Sequence, residues 1–390
     1  MNRKIMLGLL FLLWLGYANC TKTPVGEPQK LTQAQALITD IQIDGDVATL
    51  EDSLKANPNS AEAYLWLALA YSKKNRLDDA AEAYRRAIEI NPYTSAGHSG
   101  LASIYLRQGL LDKALAENKT AIALDPSHKA AYFGLGMIYK RRGRLNESLH
   151  YYLKATELPP VAGWSYYQIG DIYRLQGQNE NAKAYFKKAI GIDPTIPAAY
   201  SGLGLIERES GNYEGAVAYF REAIQRNPRN PNLYVSLSNA LHDAGDVAEA
   251  LKNVNEAIDQ QPMLARAYAM RGMLFYERQE VTEAIAEIRK AMDINPQLAL
   301  SYSNLAWIYA TSQGTSYFDP KEAIALAQKA IQMNPKPHRF YSALAEAYFQ
   351  NNQVGQAVET INIALARAPN RSQYQAQKTR FVTAQQSAKH

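Results

Sequence analysis

The chain has 390 residues, 47% hydrophobic and 20% charged, with a formal net charge of +5. That charge is too small for the strongly basic face that nucleic-acid binding requires. Cys20 is the single cysteine, which excludes an internal disulfide, a cysteine-based metal cluster and a redox pair.

In chain order, Arg3 and Lys4 precede an apolar run from Ile5 to Gly16. The run is too short to cross a membrane as a helix, which needs about 20 residues. A charged start and a short apolar run predict an export signal. The segment closes on Gly16-Tyr17-Ala18-Asn19-Cys20. This resembles a bacterial lipoprotein signal, in which a cysteine becomes the lipid-bearing first residue. Ala18 fits that pattern, whereas Tyr17 and Asn19 stand where it has Leu and a small residue. Cleavage after Ala18 by the ordinary signal peptidase is the competing reading, with Gly16 and Ala18 at its recognised places. The expectation is an exported protein, periplasmic or held at the outer membrane by a lipid on Cys20, with membrane contact through that anchor alone. Residues 21–30 read as a polar tether, and residues 31–60 hold one degenerate helix pair.

Prolines organise the rest. Pro58, Pro92, Pro126, Pro160, Pro194, Pro228, Pro262 and Pro296 each follow the last by 34 residues. Pro335 comes 39 later and Pro369 another 34, so one interval carries a five-residue insertion. A fixed period of this length signals stacked supersecondary units. Starting each unit three residues after a proline places the starts at Ala61, Ser95, Lys129, Gly163, Pro197, Pro231, Ala265, Ala299 and His338.

In this register position 8 is small in all nine units: Ala68, Ala102, Gly136, Gly170, Gly204, Ser238, Gly272, Ala306 and Ala345. Position 20 is Ala or Ser148, and position 27 is Ala throughout, from Ala87 to Ala364. Position 7 is Leu or Ile except at Arg271, and position 4 is Tyr except at His98. Position 11 is Tyr in six units. Small residues facing large ones are what a close helix stack requires, so these tyrosines are assigned to the core. Position 15 holds Gly109, Gly143, Gly177, Gly211 and Gly245, with Asn75 and Asn352, the residue types that end a helix in the left-handed conformation. The insertion falls at Gln313 to Phe318, and Asp319-Pro320 after it reads as an N-cap followed by a first-turn proline.

The period and these positions resemble the tetratricopeptide repeat over residues 61–371, with residues 372–390 as a polar C-terminal cap. The resemblance implies an all-α fold, an α-solenoid in which antiparallel helix pairs build a right-handed superhelix. It implies a concave wall lined by first helices, chiefly at positions 2, 5, 9, 12 and 13, and a protein or peptide partner.

Chemistry finds little room. The histidines His98, His128, His150, His242, His338 and His390 form no i, i+4 pair and no H-E-x-x-H motif, and no phosphate loop is present. Pairs such as Gly134-Leu135-Gly136 and Gly202-Leu203-Gly204 fall at positions 6 and 8 and read as packing residues. No catalytic residue, metal or cofactor is expected. His98 is expected to be partly buried and hydrogen-bonded.

The groove positions give one candidate site. Lys73, Arg107 and Arg141 occupy position 13 of units one to three, and Lys140, Arg174 and Arg208 occupy position 12 of units three to five. Phe133, Met137, Trp164 and Tyr167 lie beside them. A basic, aromatic track suits an extended acidic peptide. Cations in a last helical turn also complement the helix dipole wherever they occur, and that reading stands beside the first. The second half adds acidic Asp243, Glu277 and Glu346, with apolar Trp307 and Phe349. No unit has Lys at position 5, as the chaperone-binding members do, and position 6 has none of the asparagine ladder of the glycosyltransferase relatives. The expectation is an envelope scaffold for a secretion, pilus or cell-wall complex; the alternative is a targeting subunit for a separate enzyme such as a glycosyltransferase or protease.

Overall fold

The structure, a computed structural model, describes residues 43–160, 162–369 and 371–387. The export signal, Cys20, the tether and residues 31–42 lie outside the described residues. Every regular element among the described residues is a helix, and the fold is an all-α solenoid of helix pairs. Contacts divide the chain after Gly134 into two bodies.

The first body holds α1 (Ile43–Ala56), α2 (Ala61–Lys73), α3 (Leu77–Ile90), α4 (Ser95–Arg107), α5 (Leu111–Leu124) and the start of α6 (Lys129–Arg141). The second takes the rest of α6, then α7 (Leu145–Glu157), α8 (Gly163–Leu175), α9 (Asn179–Ile192), α10 (Pro197–Glu209) and α11 (Tyr213–Arg226). It continues through α12 (Pro231–Asp243), α13 (Val247–Gln260), α14 (Ala265–Glu277), α15 (Val281–Ile294) and α16 (Ala299–Thr311). It ends with α17 (Pro320–Met333), α18 (His338–Gln350), α19 (Val354–Arg367) and α20 (Ser372–Ser387). From α2 onward each even-numbered helix up to α18 starts three residues after a proline. Proline lacks the N–H that would let the preceding helix continue. Side-chain caps fix several starts: Ser60 accepts from the Ala63 amide, Asp246 from Glu249 and Asp319 from Glu322.

Packing explains the small positions. A Cβ on Gly170 would come within 2.7 Å of Phe186 on the second helix of its own pair, and one on Gly202 within 2.5 Å of the same ring from the next pair. The aromatic ring at position 24 thus sits between two glycines, and Phe186, Phe220 and Tyr152 are fully buried. Burying such a side chain contributes about 1.5–3 kcal/mol. Gly272 faces Ile288 in the same way, at 2.7 Å from Cγ1. Arg271, the exception among the core residues at position 7, places its guanidinium 2.9 Å from Glu287 and 2.9 Å from Asn255.

The position 4 tyrosines are less buried than a core assignment requires. Tyr200, Tyr268 and Tyr302 are buried, whereas Tyr64, Tyr132, Tyr166, Tyr234 and Tyr341 are half-buried. Buried and half-buried rings alike use the hydroxyl to reach the boundary loop. Tyr132, Tyr234, Tyr268, Tyr302 and Tyr341 each donate to the carbonyl of the proline six residues earlier, at 3.0–3.1 Å. The ring packs inward and the hydroxyl ties the helix to its own boundary loop. His98 keeps this bond in a different side chain, with Nε2 3.3 Å from the Pro92 carbonyl and Nδ1 2.6 Å from Glu117.

The residue at position 15 is left-handed at Asn75, Gly109, Gly143, Gly177, Gly211, Gly245 and Asn352. Gln279 adopts the same conformation, with φ 64°, although its side chain disfavours it. Gln279→Gly should therefore stabilise the protein. Relief of about 1–2 kcal/mol of left-handed strain outweighs the extra unfolded-state entropy of glycine, leaving a net gain of about 0.5 kcal/mol. Thermal unfolding reads this directly, and a lowered midpoint would contradict it.

Candidate functional site

The cations singled out from the sequence fall in both bodies. In the first, Lys73 is exposed at the end of α2 and Phe133 is half-buried. Arg107 reaches back one repeat, donating to the Ser72 carbonyl and hydroxyl at 2.9 Å and to Asn75 Oδ1 at 2.6 Å.

In the second body Met137 is half-buried and Arg141 exposed. Lys140 donates to Gln168 at 2.7 Å and to Asp171 at 2.6 Å, and Arg174 meets the other oxygen of Asp171 at 2.7 Å. Burial raises the Asp171 carboxyl, but the two cations beside it overcome this and hold it below the usual carboxylate range. Arg208 bonds Asp243 at 2.7 Å. Trp164, 46% exposed, stands edge-on to Tyr167 with ring centroids 5.5 Å apart. Trp164, Tyr167 and Arg174 line a cavity of about 370 Å³, with Asn227 and Asn230 opposite.

These pairings have a common geometry. Position 12 of one repeat meets position 13 of the next at Ser72 and Arg107, at Arg208 and Asp243, at His242 and Glu277 (2.6 Å), and at Tyr276 and Thr311 (2.7 Å). They form polar rungs between the last turns of consecutive first helices. Of the basic track, Lys140 and Arg174 share Asp171 and Arg208 pairs with Asp243, whereas Arg107 bonds neutral groups.

The larger cavity of the second body, about 1030 Å³, is walled by α10, α12, α14, α16 and α18 and closed by the start of α20. Its apolar floor includes Met270, Met273, Tyr276 and Trp307. Arg208, Arg266, Arg339 and Arg371 line it, with the acids Glu209, Asp243 and Glu277. Two of those acids are matched: Arg208 and His242 flank Asp243, and His242 also meets Glu277. Burial opposes protonation of His242, but Asp243 and Glu277 outweigh it and push the imidazole up to about 9. Burial likewise raises Asp243, and His242, Arg208 and Arg371 bring it down to about 2.

Arg339 is exposed at the cavity wall, and desolvation among its neighbours, with the fields of Arg208 and Arg266, lowers its guanidinium from the usual range. His338 is held down to about 4 by burial and by the fields of Arg371, Arg339 and Arg208. Its Nδ1 and the Tyr374 hydroxyl share a hydrogen bond of 2.6 Å.

Two expected groove residues lie elsewhere. Glu346 is 1% exposed and Phe349 stacks on Phe381 with centroids 4.6 Å apart, so both sit beneath α20. After the last pair, α20 takes the place of the next first helix and covers positions 9 and 12. Trp307 does face the cavity. Arg266 and Arg339, which the sequence reading passed over, share position 2 of their repeats, and that position was the signal available.

Among the described residues no group of three His, Cys, Asp or Glu side chains is placed to hold a metal, and no helix is long and apolar enough to cross a membrane.

Three family models, each described as Tetratricopeptide repeat, match the chain. One covers residues 207–274 and 316–380, a second 165–196 and 265–298, and a third 47–94 and 99–162. No curated protein matches. Among solved structures, PilW, a type IV pilus biogenesis factor, is 21% identical over 53% of this chain and 96% of its own, with a TM-score of 0.49. A thermophilic TPR protein of Thermus thermophilus is 26% identical over 47% of this chain and 100% of its own, at 0.41. The human IFIT1 dimer with PPP-AAAA is 16% identical over 82% of this chain and 77% of its own, at 0.53, a likeness of fold alone. The three family models together span more than half of the residues, and the chain belongs to the tetratricopeptide repeat family.

Proposed function

We propose that this protein is a non-catalytic scaffold of the bacterial cell envelope that holds an extended segment of a protein partner in the large cavity of its second body. Tetratricopeptide arrays generally serve protein–protein interaction. The observation that carries the proposal is the cavity itself, whose wall is built from first helices of five successive repeats. Its length follows the stacking direction, as an extended chain would, and side-chain amides at Asn232, Asn239 and Asn304 supply polar groups for a peptide backbone.

A photo-crosslinking residue at Asn239 or Gln373, both at the cavity, should give discrete protein adducts in cells. The same residue at Lys252, exposed on α13 away from the cavity, should give none. Adducts at Lys252 alone, or at no position, would sink the groove reading. The envelope assignment rests separately on Met1 to Cys20. Radiolabelled fatty acid should enter the wild type and not Cys20→Ala, and equal labelling of both rules out the lipid anchor.

A further inference from the structure

We infer that Arg266, Arg339 and Arg371 form a binding site for the carboxylates of an acidic peptide segment. The inference rests on the groove reading and adds the chemistry of its occupant.

The three arginines differ by position from the groove cations singled out in the second body. Lys140, Arg174 and Arg208 lie in last helical turns, where a positive charge complements the helix dipole, and each is paired with a carboxylate. Arg266 and Arg339 are the second residues of α14 and α18, and Arg371 directly precedes α20. A cation at a helix N-terminus opposes the dipole, so all three stand where the fold is worse for them. None makes an ion pair among the described residues. Asp243 is already shared by Arg208 and His242. Arg371 lends its field to Asp243 without pairing with it, and the fold gives no ion-paired partner to Arg266 or Arg339, whereas a bound segment does: the three guanidiniums line one cavity and each can take a carboxylate.

The rest of the cavity selects a peptide over a nucleic acid. Glu209 and Glu277 would repel a continuous phosphate backbone but tolerate separate carboxylates. Met270 and Met273 give the adaptable apolar floor that side chains occupy, and the cavity lacks a ladder of aromatic rings for successive bases. The occupant is thus an extended segment in which acidic residues alternate with apolar ones, the acids directed at the arginines and the apolar groups at Trp307 and the methionines.

The test uses the full-length protein in detergent and a fluorescein-labelled peptide of alternating glutamate and phenylalanine, read by fluorescence anisotropy. The wild type should bind saturably. Arg266→Gln with Arg339→Gln should weaken binding at least tenfold, and so should glutamine in place of glutamate in the peptide. The double variant should melt no lower than the wild type, because it removes cations that oppose the dipole. Absent binding, equal binding by the variant, or equal binding of the glutamine peptide would overturn the inference. So would a single-stranded RNA oligonucleotide that displaces the peptide and binds more tightly. Loss of the peptide result with crosslinks at Asn239 intact removes the carboxylate assignment alone, whereas loss of the crosslinks removes the groove reading.

Discussion

Arg380→Ala is expected to loosen α20 from the end of the array at a cost of about 3 kcal/mol. Glu346 is 1% exposed and accepts from Gln350 at 2.8 Å and Gln377 at 3.0 Å, while Arg380 supplies its counter-charge. Removing the arginine leaves a buried carboxylate with two neutral donors. That is the costly half of a buried pair, and half-exposure of Arg380 puts the loss at the lower end of the usual range. Arg380 also lies over Phe349 and Phe381, at 4.9 and 5.1 Å from the ring centroids, so some packing goes with it. Amide exchange in α20 should accelerate by roughly two orders of magnitude, following from about 3 kcal/mol. Adding Glu346→Gln should restore most of the protection. Unchanged exchange in Arg380→Ala would show that the pair does not hold the cap.

Stability should also fall as pH rises from 6.5 to 9 because of His242. Its folded value, about 9, lies above the ordinary 6.5. Below pH 6.5 the imidazole is protonated in both states, and the full attraction to Glu277 and Asp243 is present. Between 6.5 and 9 the native state binds more protons than the unfolded chain, so stability declines with pH, and above 9 the contribution is gone. The shift corresponds to about 3 kcal/mol, which solvent screening around the quarter-exposed imidazole and more open Glu277 reduces to about 2 kcal/mol. His338 acts in the opposite window. Its value is lowered to about 4, so it costs stability only as pH falls below 6.5. Thermal midpoints at pH 6.5 and pH 9 should therefore differ more for the wild type than for His242→Gln. Equal differences would mean that the His242 contacts contribute nothing.

The register was legible because each of its signals is local. A proline ends a helix, a glycine at position 8 admits a ring from the paired helix, and both are read at one place in the chain. The charges of the groove were harder to read because their partners lie one repeat away. Arg208 meets Asp243 and His242 meets Glu277, each across 35 residues, and Lys140 meets Asp171 at position 9 of the next repeat. Following position 12 or position 13 along the array gives a basic stripe, whereas setting position 12 of one repeat against position 13 of the next gives the rungs. Arg266 and Arg339 were open to the same reading at position 2, but arginines at helix starts drew no notice beside longer runs of like charge. Glu346 and Phe349 went astray for another reason. Periodicity treats every repeat alike, and the last one is covered by a helix that does not repeat the pattern.

The insertion in the eighth pair bears on recognition. Residues 312–319 interrupt the period, with Gly314 left-handed and the Asp319 amide bonded to the Tyr309 carbonyl, and Ser312, Gln313 and Thr315 reach the rim of the large cavity. A strictly periodic wall presents the same face again and again. A ligand that suits one step suits the next, and it can slide by a whole repeat with little change in energy. The extra residues remove that translational degeneracy where they meet the cavity. A bound segment then has one preferred alignment, and with it a fixed direction for whatever its two ends are attached to.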